Sequence, residues 1–534
     1  MCHSARWHGP SFGELQMSSG TLPAAIHRGA FVLVLLLLAL PAWSADPPSS
    51  GVLGRGTAWE TNYYAQTSDR AGPTVVITAG VHGDEPAGAA AAEQIRHWPI
   101  VCGKLVVLPL ANPPALAART RTIPGAAAPQ NNLNRNFPKT GQPGPPVGDQ
   151  AEAIWQWLQV LQPDWVVDLH EGFGIRAAGS KSVGSSVVVR PDAAADAAVE
   201  RMLAAVNATI DRDDKRFVRL GPPIDGSLAR AAAEHLAAQA MILETSIQDL
   251  PPPVLKPAPQ AKPDAAKPPH QPLSRRMRQH RLLVHALLTH LKMVDSTLQV
   301  DRVAGRAAAP DKTWVALYDA GGTGGQGGAA VERILAGAGM RVVRVGPEEI
   351  AAGSLTNFDV AVFPGGSGSK QAAAIGAPGR EQVRQFVERG GGFVGICAGA
   401  YLCTSGFEWG LKLFDAKTIS PKWQRGAGML QMELTPAGRD IFGDRPMLLD
   451  VRYQNGPVIT RAEIEAVPDY EVLAFFRTEV AQNGAPAGVM LDSPAIAGGN
   501  FGQGRVLFVS PHPEQTPGLE DLVHRGAQWA AGKP

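Results

Sequence analysis

The chain has 534 residues, of which 45% are hydrophobic and 18% charged, and its formal net charge is +1. That length exceeds one ordinary core and implies two or three domains. The balance is that of a soluble globular protein, and the near-zero charge gives no electrostatic reason to expect a nucleic-acid or acidic-membrane partner.

Near the N-terminus, Arg28 precedes the apolar run AFVLVLLLLAL, which is followed by PAWSA and a polar start at Asp46. A basic residue, a short apolar core and small residues describe a secretory signal peptide over residues 1–45. The run is shorter than the ~20 apolar residues that span a bilayer, which argues against an uncleaved anchor and stable membrane insertion. Met17 is an alternative start. Cleavage after Ala45 removes Cys2 and leaves Cys102, Cys397 and Cys403, too few for a disulfide framework. Residues 46–52 read as a polar lead.

From residue 53 strands and helices alternate. TVVITAGVH, KLVVLPLANP, DWVVDLH, SSVVVR and QAMILET read as strands, and AGAAAAEQIRHW and AEAIWQWLQVL as helices. Val, Ile and Leu runs without clean alternation fit strands buried on both faces of an α/β sheet. Residues 250–272 are rich in Pro, Ala and Lys and read as a long loop. The helix LSRRMRQHRLLVHALLTHLKMV then ends a first domain over 53–298, and 299–311 form a linker. A second α/β pattern fills 312–534: strands WVALYDA, RVVRVG, DVAVFPGG, GFVGICAG and RVLFVSPHPE, with helices AAVERILAGAG and REQVRQFVERG.

Catalytic zinc takes three protein ligands and keeps a fourth position for water. In VVITAGVHGDEPAG, His82 ends a strand and Glu85 follows across a turn allowed by Gly83, before Pro86 begins a helix. Strand ends of open α/β sheets are where ligands bind. His170 closes the strand DWVVDLHEG, and Asp168 points to the same face as a candidate partner for its second nitrogen. A lone His-x-x-Glu pair is weak evidence. The ordered set VHGDEPAG, NPPALAARTR, NLNRNFP, DLHEG and ILET, however, resembles the zinc carboxypeptidase superfamily, in the branch of succinylglutamate desuccinylase and aspartoacylase.

That resemblance covers residues 53 to 298 and implies a mixed sheet with flanking helices. It implies one zinc ion held by His82, Glu85 and His170, with Glu244 as general base. Asn134 and Arg135 would hold a substrate carboxylate, and Arg121, or else Arg119, would stabilise the oxyanion. The chemistry agrees: zinc lowers the pKa of water towards ~7, a carboxylate shuttles the proton, and arginine suits carboxylates and oxyanions. Two departures stand out. Asn132 occupies the position where the family has Asp, which questions how the Asn134–Arg135 turn is braced. No tyrosine follows Tyr64 in this domain to close over substrate.

In GGGFVGICAGAYL, Cys397 lies between a strand and a helix with small residues around it, the pattern of a nucleophile elbow. SPHPEQT offers His512 and Glu514 as base and orienter, and VFPGGSGS offers the backbone N–H groups of Gly365 and Gly366 as an oxyanion hole. These pieces resemble the class I glutamine amidotransferase-like fold, closest to the domain at the N-terminus of some biotin–protein ligases, over residues 312 to 531. The resemblance implies a flavodoxin-like domain and triad positions Cys397, His512 and Glu514. AGAYL departs from the glutaminase pattern, so glutamine is not implied as substrate, and an inert buried cysteine in a binding domain is the competing reading. The run Gly322-Thr-Gly-Gly-Gln-Gly327 has G-x-G-x-x-G form, but the next strand, RVVRVG, lacks the terminal acid of a dinucleotide site, so it reads as a plain turn or a substrate loop.

The resulting expectation is an exported, periplasmic or extracellular zinc hydrolase that cuts an amide bond in a small peptide or N-acyl amino acid. Two alternatives stand beside it: an N-acyl-amino-acid deacylase or esterase, and a non-catalytic exported binding protein.

Overall fold

Val75 and Ile77 face one apolar layer and Val76 the opposite one, all fully buried. This two-sided burial is why the strand runs show no polar alternation. Each such side chain contributes about 1.5–3 kcal/mol relative to exposure. The computed structural model describes residues 49–141, 144–176, 181–249, 270–420, 422 and 424–533. The export signal and residues 250–269 of the Pro-rich stretch lie outside these.

The first sheet contains β1 (Ser49–Leu53), β2 (Thr61–Thr67), β3 (Thr74–Ala79), β4 (Lys104–Leu108), β5 (Trp165–Gly172), β6 (Ser186–Val189), β7 (Val218–Leu220) and β8 (Gln239–Ser246). Their order is β1-β2-β4-β3-β5-β8-β6-β7. β4, β3, β5 and β8 run parallel, while β1 and β2 form an antiparallel edge and β6 runs antiparallel to β8. The sheet is therefore mixed, with helices such as Pro86–Ile95 and Asp149–Leu161 against it. The expected polar lead is corrected in part: Ser49–Leu53 is a strand, paired with Thr61–Thr67. Its local sequence, SSGVL, is too short to signal a strand without its partner.

The second sheet contains β9 (Trp314–Tyr318), β10 (Arg341–Val345), β11 (Val360–Phe363) and β12 (Gly392–Ile396), and later β14 (Ala427–Leu434), β15 (Leu449–Gln454), β17 (Glu471–Phe476), β18 (Pro494–Phe501) and β19 (Gly504–Val509). β13 (Ala416–Thr418) and β16 (Ile459–Arg461) pair separately. The sheet order is β10-β9-β11-β12-β19-β18-β17-β14-β15. Its five parallel strands, numbered by their own succession, follow 2-1-3-4-5, the flavodoxin-like order. The four antiparallel strands on the far side extend this core. In these four the strand signals are mixed with polar and glycine residues, and none of them stands out in the sequence as a buried apolar run. REQVRQFVERG is the latter part of the helix Gly368–Glu388, which is broken at Gly376, φ 65°, ψ −177°.

Residues 47–534 cluster as one compact unit. The helix Leu273–His290 packs against the first sheet's apolar layer through Leu283, Val284 and Leu287. The same helix pairs Arg281 with buried Glu349 and ties Ser274 to Asp319. Within 299–311, Val303 and Ala304 are buried, and the Ala304 N–H donates to Gln94 Oε1 at 2.7 Å. Among the described residues no helix is long and apolar enough to cross a membrane.

Candidate functional site

Parallel register brings the first cluster together. Thr78 pairs with Asp168 across β3 and β5, and His170 with Glu244 across β5 and β8. The chain leaves β3 through Gly80 and turns at Gly83, where a Cβ would lie 1.8 Å from the Ala115 carbonyl oxygen, so only glycine fits. Gly88 in turn lets the helix Pro86–Ile95 approach Leu169 of β5 closely. His82 and Glu85 are thereby set beside His170, all three buried.

The Glu85 carboxylate lies between the two imidazoles, 2.9 Å from His82 Nδ1 and 2.8 Å from His170 Nδ1. The outward nitrogens are engaged separately: His170 Nε2 with Asp168 Oδ2 at 2.7 Å, and His82 Nε2 with Asn132 Oδ1 at 3.1 Å. Asp168 is itself held by the Thr78 hydroxyl at 2.7 Å. Burial opposes the charge on Glu85, yet His170 and His82 hold its carboxyl well below the usual range. Burial likewise opposes a charged His170, while Asp168 and Glu85 raise it well above an ordinary imidazole.

This donor set fits a divalent cation such as zinc. One atom each from His82, Glu85 and His170 lie within 4.8 Å of one another. Both histidines turn Nδ1 inward while an oxygen acceptor fixes the other nitrogen, the arrangement expected of metal-binding imidazoles.

Around it, Glu244 is buried and pushed up to about 8, first by burial and then by the charge of Glu85, against the opposing His170. Arg121 Nη1 lies 2.6 Å from Glu85 Oε1, so the arginine expected at the oxyanion pairs here with a candidate ligand. Asn134 Nδ2 is 3.4 Å from His170 Nε2, and its Oδ1 accepts from the Leu228 N–H at 3.2 Å. Arg135 Nη1 donates to the Asn134 carbonyl at 2.6 Å, and burial and the charge of Arg121 lower its pKa. Arg119 caps the helix Pro113–Ala118 in a left-handed conformation. Asn132 resolves the bracing question: its Oδ1 also accepts from the Asn134 N–H at 3.1 Å, so one amide holds both the turn and His82.

Sequence reasoning passed over Glu171 and Arg276. Glu171 follows His170 directly, is buried, and pairs with Arg276 on the helix Leu273–His290. Its backbone N–H also donates to Glu85 Oε2 at 3.1 Å. The adjacent carboxylate in DLHEG was a visible signal, but nothing local marked an arginine so far along the chain.

The second cluster sits at the ends of β9, β11 and β12. Cys397 has φ 50° and ψ −92°, the strained backbone of an elbow between β12 and the short helix Ala398–Cys403. His512 Nδ1 is 2.8 Å from Glu514 Oε1, and among the described residues His512 Nε2 has no partner in good hydrogen-bond geometry. A Cβ on Gly365 would lie 3.1 Å from His512 Cε1 and 3.8 Å from Cys397 Cβ, so this glycine lies close to both. Burial opposes charge on His512, but the Cys397 sulfur and Glu514 push it up to about 10. Gly366 is pressed against Gly322 and Gly324, and Gly324 N–H donates to the Gly365 carbonyl at 3.0 Å. The G-x-G-x-x-G run is thus a packed wall of this site, with Gly327 beside Glu514. Cys102, Cys397 and Cys403 are all free and buried, and burial pushes the Cys403 thiol up.

Comparison with known proteins finds a match in each of the two parts of the chain. Residues 71–248 match the family model described as the succinylglutamate desuccinylase/aspartoacylase catalytic domain, and residues 354–420 that of the biotin-protein ligase N terminal. The N-alpha-acetyl-L-2,4-diaminobutyric acid deacetylase of Halomonas elongata is 38% identical over 107 residues, covering 19% of this chain and 29% of that protein. Among solved structures, the cell shape determinant protein Csd4 of Helicobacter pylori shows 18% identity and a TM-score of 0.34, covering 45% of this chain and 57% of that one. An aspartoacylase family protein of Mesorhizobium loti shows 22% identity and a TM-score of 0.32, covering 48% and 70%. The chain therefore spans under a third of its curated relative and little over half of Csd4. Residues 71–248 are thus similar to the succinylglutamate desuccinylase/aspartoacylase catalytic domain, and residues 354–420 to the biotin-protein ligase N-terminal domain.

Proposed function

We infer that this is an exported zinc-dependent hydrolase that cuts an amide bond in a small peptide or N-acyl amino acid, with the reacting site in a domain spanning 53–298. The observation that carries the reading is the convergence of His82, Glu85 and His170 within reach of Glu244, four residues from three parallel strand ends. Zinc, when bound, supplies a Lewis-acidic charge that acidifies water and polarises a carbonyl. Glu244 takes the proton from the attacking water and passes it to the leaving nitrogen. Asp168 and Asn132 hold the two imidazoles in one tautomer. Arg121, whose side chain is 49% exposed although its partner Glu85 is buried, turns from Glu85 to the developing oxyanion. Asn134 and Arg135 receive the substrate carboxylate.

A second reading, an N-acyl-amino-acid deacylase, is favoured by the identity to a deacetylase. Release of a free acyl acid from acylated amino acids, with no cleavage of peptides, selects it over the peptidase. Metal analysis combined with both substrate screens tests the whole proposal: a purified chain that holds no zinc after supplementation favours a binding protein and removes the hydrolase.

For the domain over 312–534 the supported reading is a Cys397–His512–Glu514 centre with Gly365 and Gly366 at the oxyanion position. Mild alkylation should label Cys397 ahead of Cys102 and Cys403. Equal labelling of the three defeats it.

A further inference from the structure

The second domain contains a charged group that the triad does not use. Arg425 is 2% exposed, and among the described residues its Nε and Nη1 have no hydrogen-bond partner. Its Nη2 donates to the Pro486 carbonyl at 2.9 Å, and the nearest carboxylate oxygen, on Glu479, is 3.7 Å away. A buried guanidinium with two unpaired nitrogens is costly unless an acceptor arrives from outside. Arg425 lines a small cleft in which Tyr401, Thr418, Ser420 and Lys422 supply hydroxyls and positive charge and Ile419, Val458 and Val489 supply an apolar side.

The cleft is tied to the thiol by short links. Asn455 Oδ1 accepts from the Gly426 N–H at 2.8 Å, and its carbonyl accepts from the Tyr401 hydroxyl at 3.1 Å. The preceding carbonyl, of Gln454, accepts from Cys397 Sγ at 3.5 Å. Tyr401 lies on the short helix that begins immediately after Cys397. Arg425 and Cys397 both act electrostatically on Tyr401 and on Tyr453, so the cation and the sulfur are near the same two phenols.

We propose that this cleft is a carboxylate-binding subsite of the second domain, in which Arg425, aided by Lys422, grips a small carboxylate-bearing ligand beside Cys397. Guanidinium prefers planar oxyanions such as carboxylates. The proposal deepens the reading of Cys397 as a nucleophile, but the anion site itself stands without turnover.

Arginines in the first domain also invite carboxylates, so the test must be local. Iodoacetamide alkylation of Cys397, in which the sulfur displaces iodide, is followed by mass spectrometry on the full chain with and without glutarate. Glutarate should slow labelling in a concentration-dependent way, while neutral glutaramide of the same length should not. In R425Q the protection should weaken about tenfold, the loss expected for one charge-assisted contact, and R425K should restore part of it. Equal protection by glutarate and glutaramide, or by inorganic phosphate in place of glutarate, overturns the proposal, and the wild-type comparison decides even if R425Q does not fold. Should Cys397 resist alkylation altogether, the nucleophile reading fails by itself. Calorimetric titration of glutarate into R135Q, compared with R135Q/R425Q, then decides the subsite: lost heat on adding R425Q supports it, and unchanged heat refutes it.

Discussion

At the end of β5, His170 is gripped by carboxylates on both ring nitrogens, Asp168 and Glu85. At the end of β12, Cys397 is held by its own backbone, at φ 50°, and among the described residues the His512 nitrogen on its side is unpaired. The first site is organised by a charge network that a cation would complete. The second is organised by backbone strain and by glycines that let loops touch. Charge networks are sensitive to the identity of each acid and base, whereas a strained elbow is sensitive to the volume of its neighbours.

The comparison breaks most sharply at Glu244. E244Q should reduce hydrolysis by about 10²–10⁴-fold while zinc content is unchanged, because only proton transfer is removed; retained activity would falsify the general-base assignment. D168N should have a smaller effect, about 10–100-fold in zinc affinity or activity, since it disturbs the tautomer of His170 rather than the reaction itself. Zinc titration with a competing chelator reads it.

A volume change acts through packing in the first domain also. G83A places a Cβ against the Ala115 carbonyl and should cost about 1–3 kcal/mol of stability, seen as a lowered thermal midpoint. An unchanged midpoint would show that the turn relaxes freely.

The smallest expected effect sharpens the second site. His512 has its folded pKa raised to about 10, above the ordinary imidazole value. Its charged form is thus favoured by folding. That stabilisation is full below the unfolded pKa near 6.5 and is lost as pH rises through about 10. The stability advantage of the wild type over H512N should therefore shrink between pH 7 and pH 10 in denaturant titrations. A constant gap would mean that Cys397 and Glu514 do not support the charged ring.

Much of both sites was readable from local patterns. His82, Glu85 and His170 were marked by strand ends followed by a glycine turn, and Cys397 by small residues at a strand–helix junction. Glu244 was marked only by an apolar run before an acid. Other features had no local signature. Arg276 reaches Glu171 from a helix more than a hundred residues on, and Arg425 lies in a stretch, SPKWQRGAG, that looks like an ordinary loop. The pairing of Arg121 with Glu85 depends on how a loop folds over the sheet.

What the amino-acid order determined alone was periodicity: buried runs, turns that demand glycine, and helices that begin at proline, because these follow from backbone sterics and side-chain burial within a few residues. Only the tertiary structure decided which strand ends are neighbours and which charges are left unpaired. Those outcomes depend on sheet register, and register is an agreement between segments far apart in the chain, written in no single one of them.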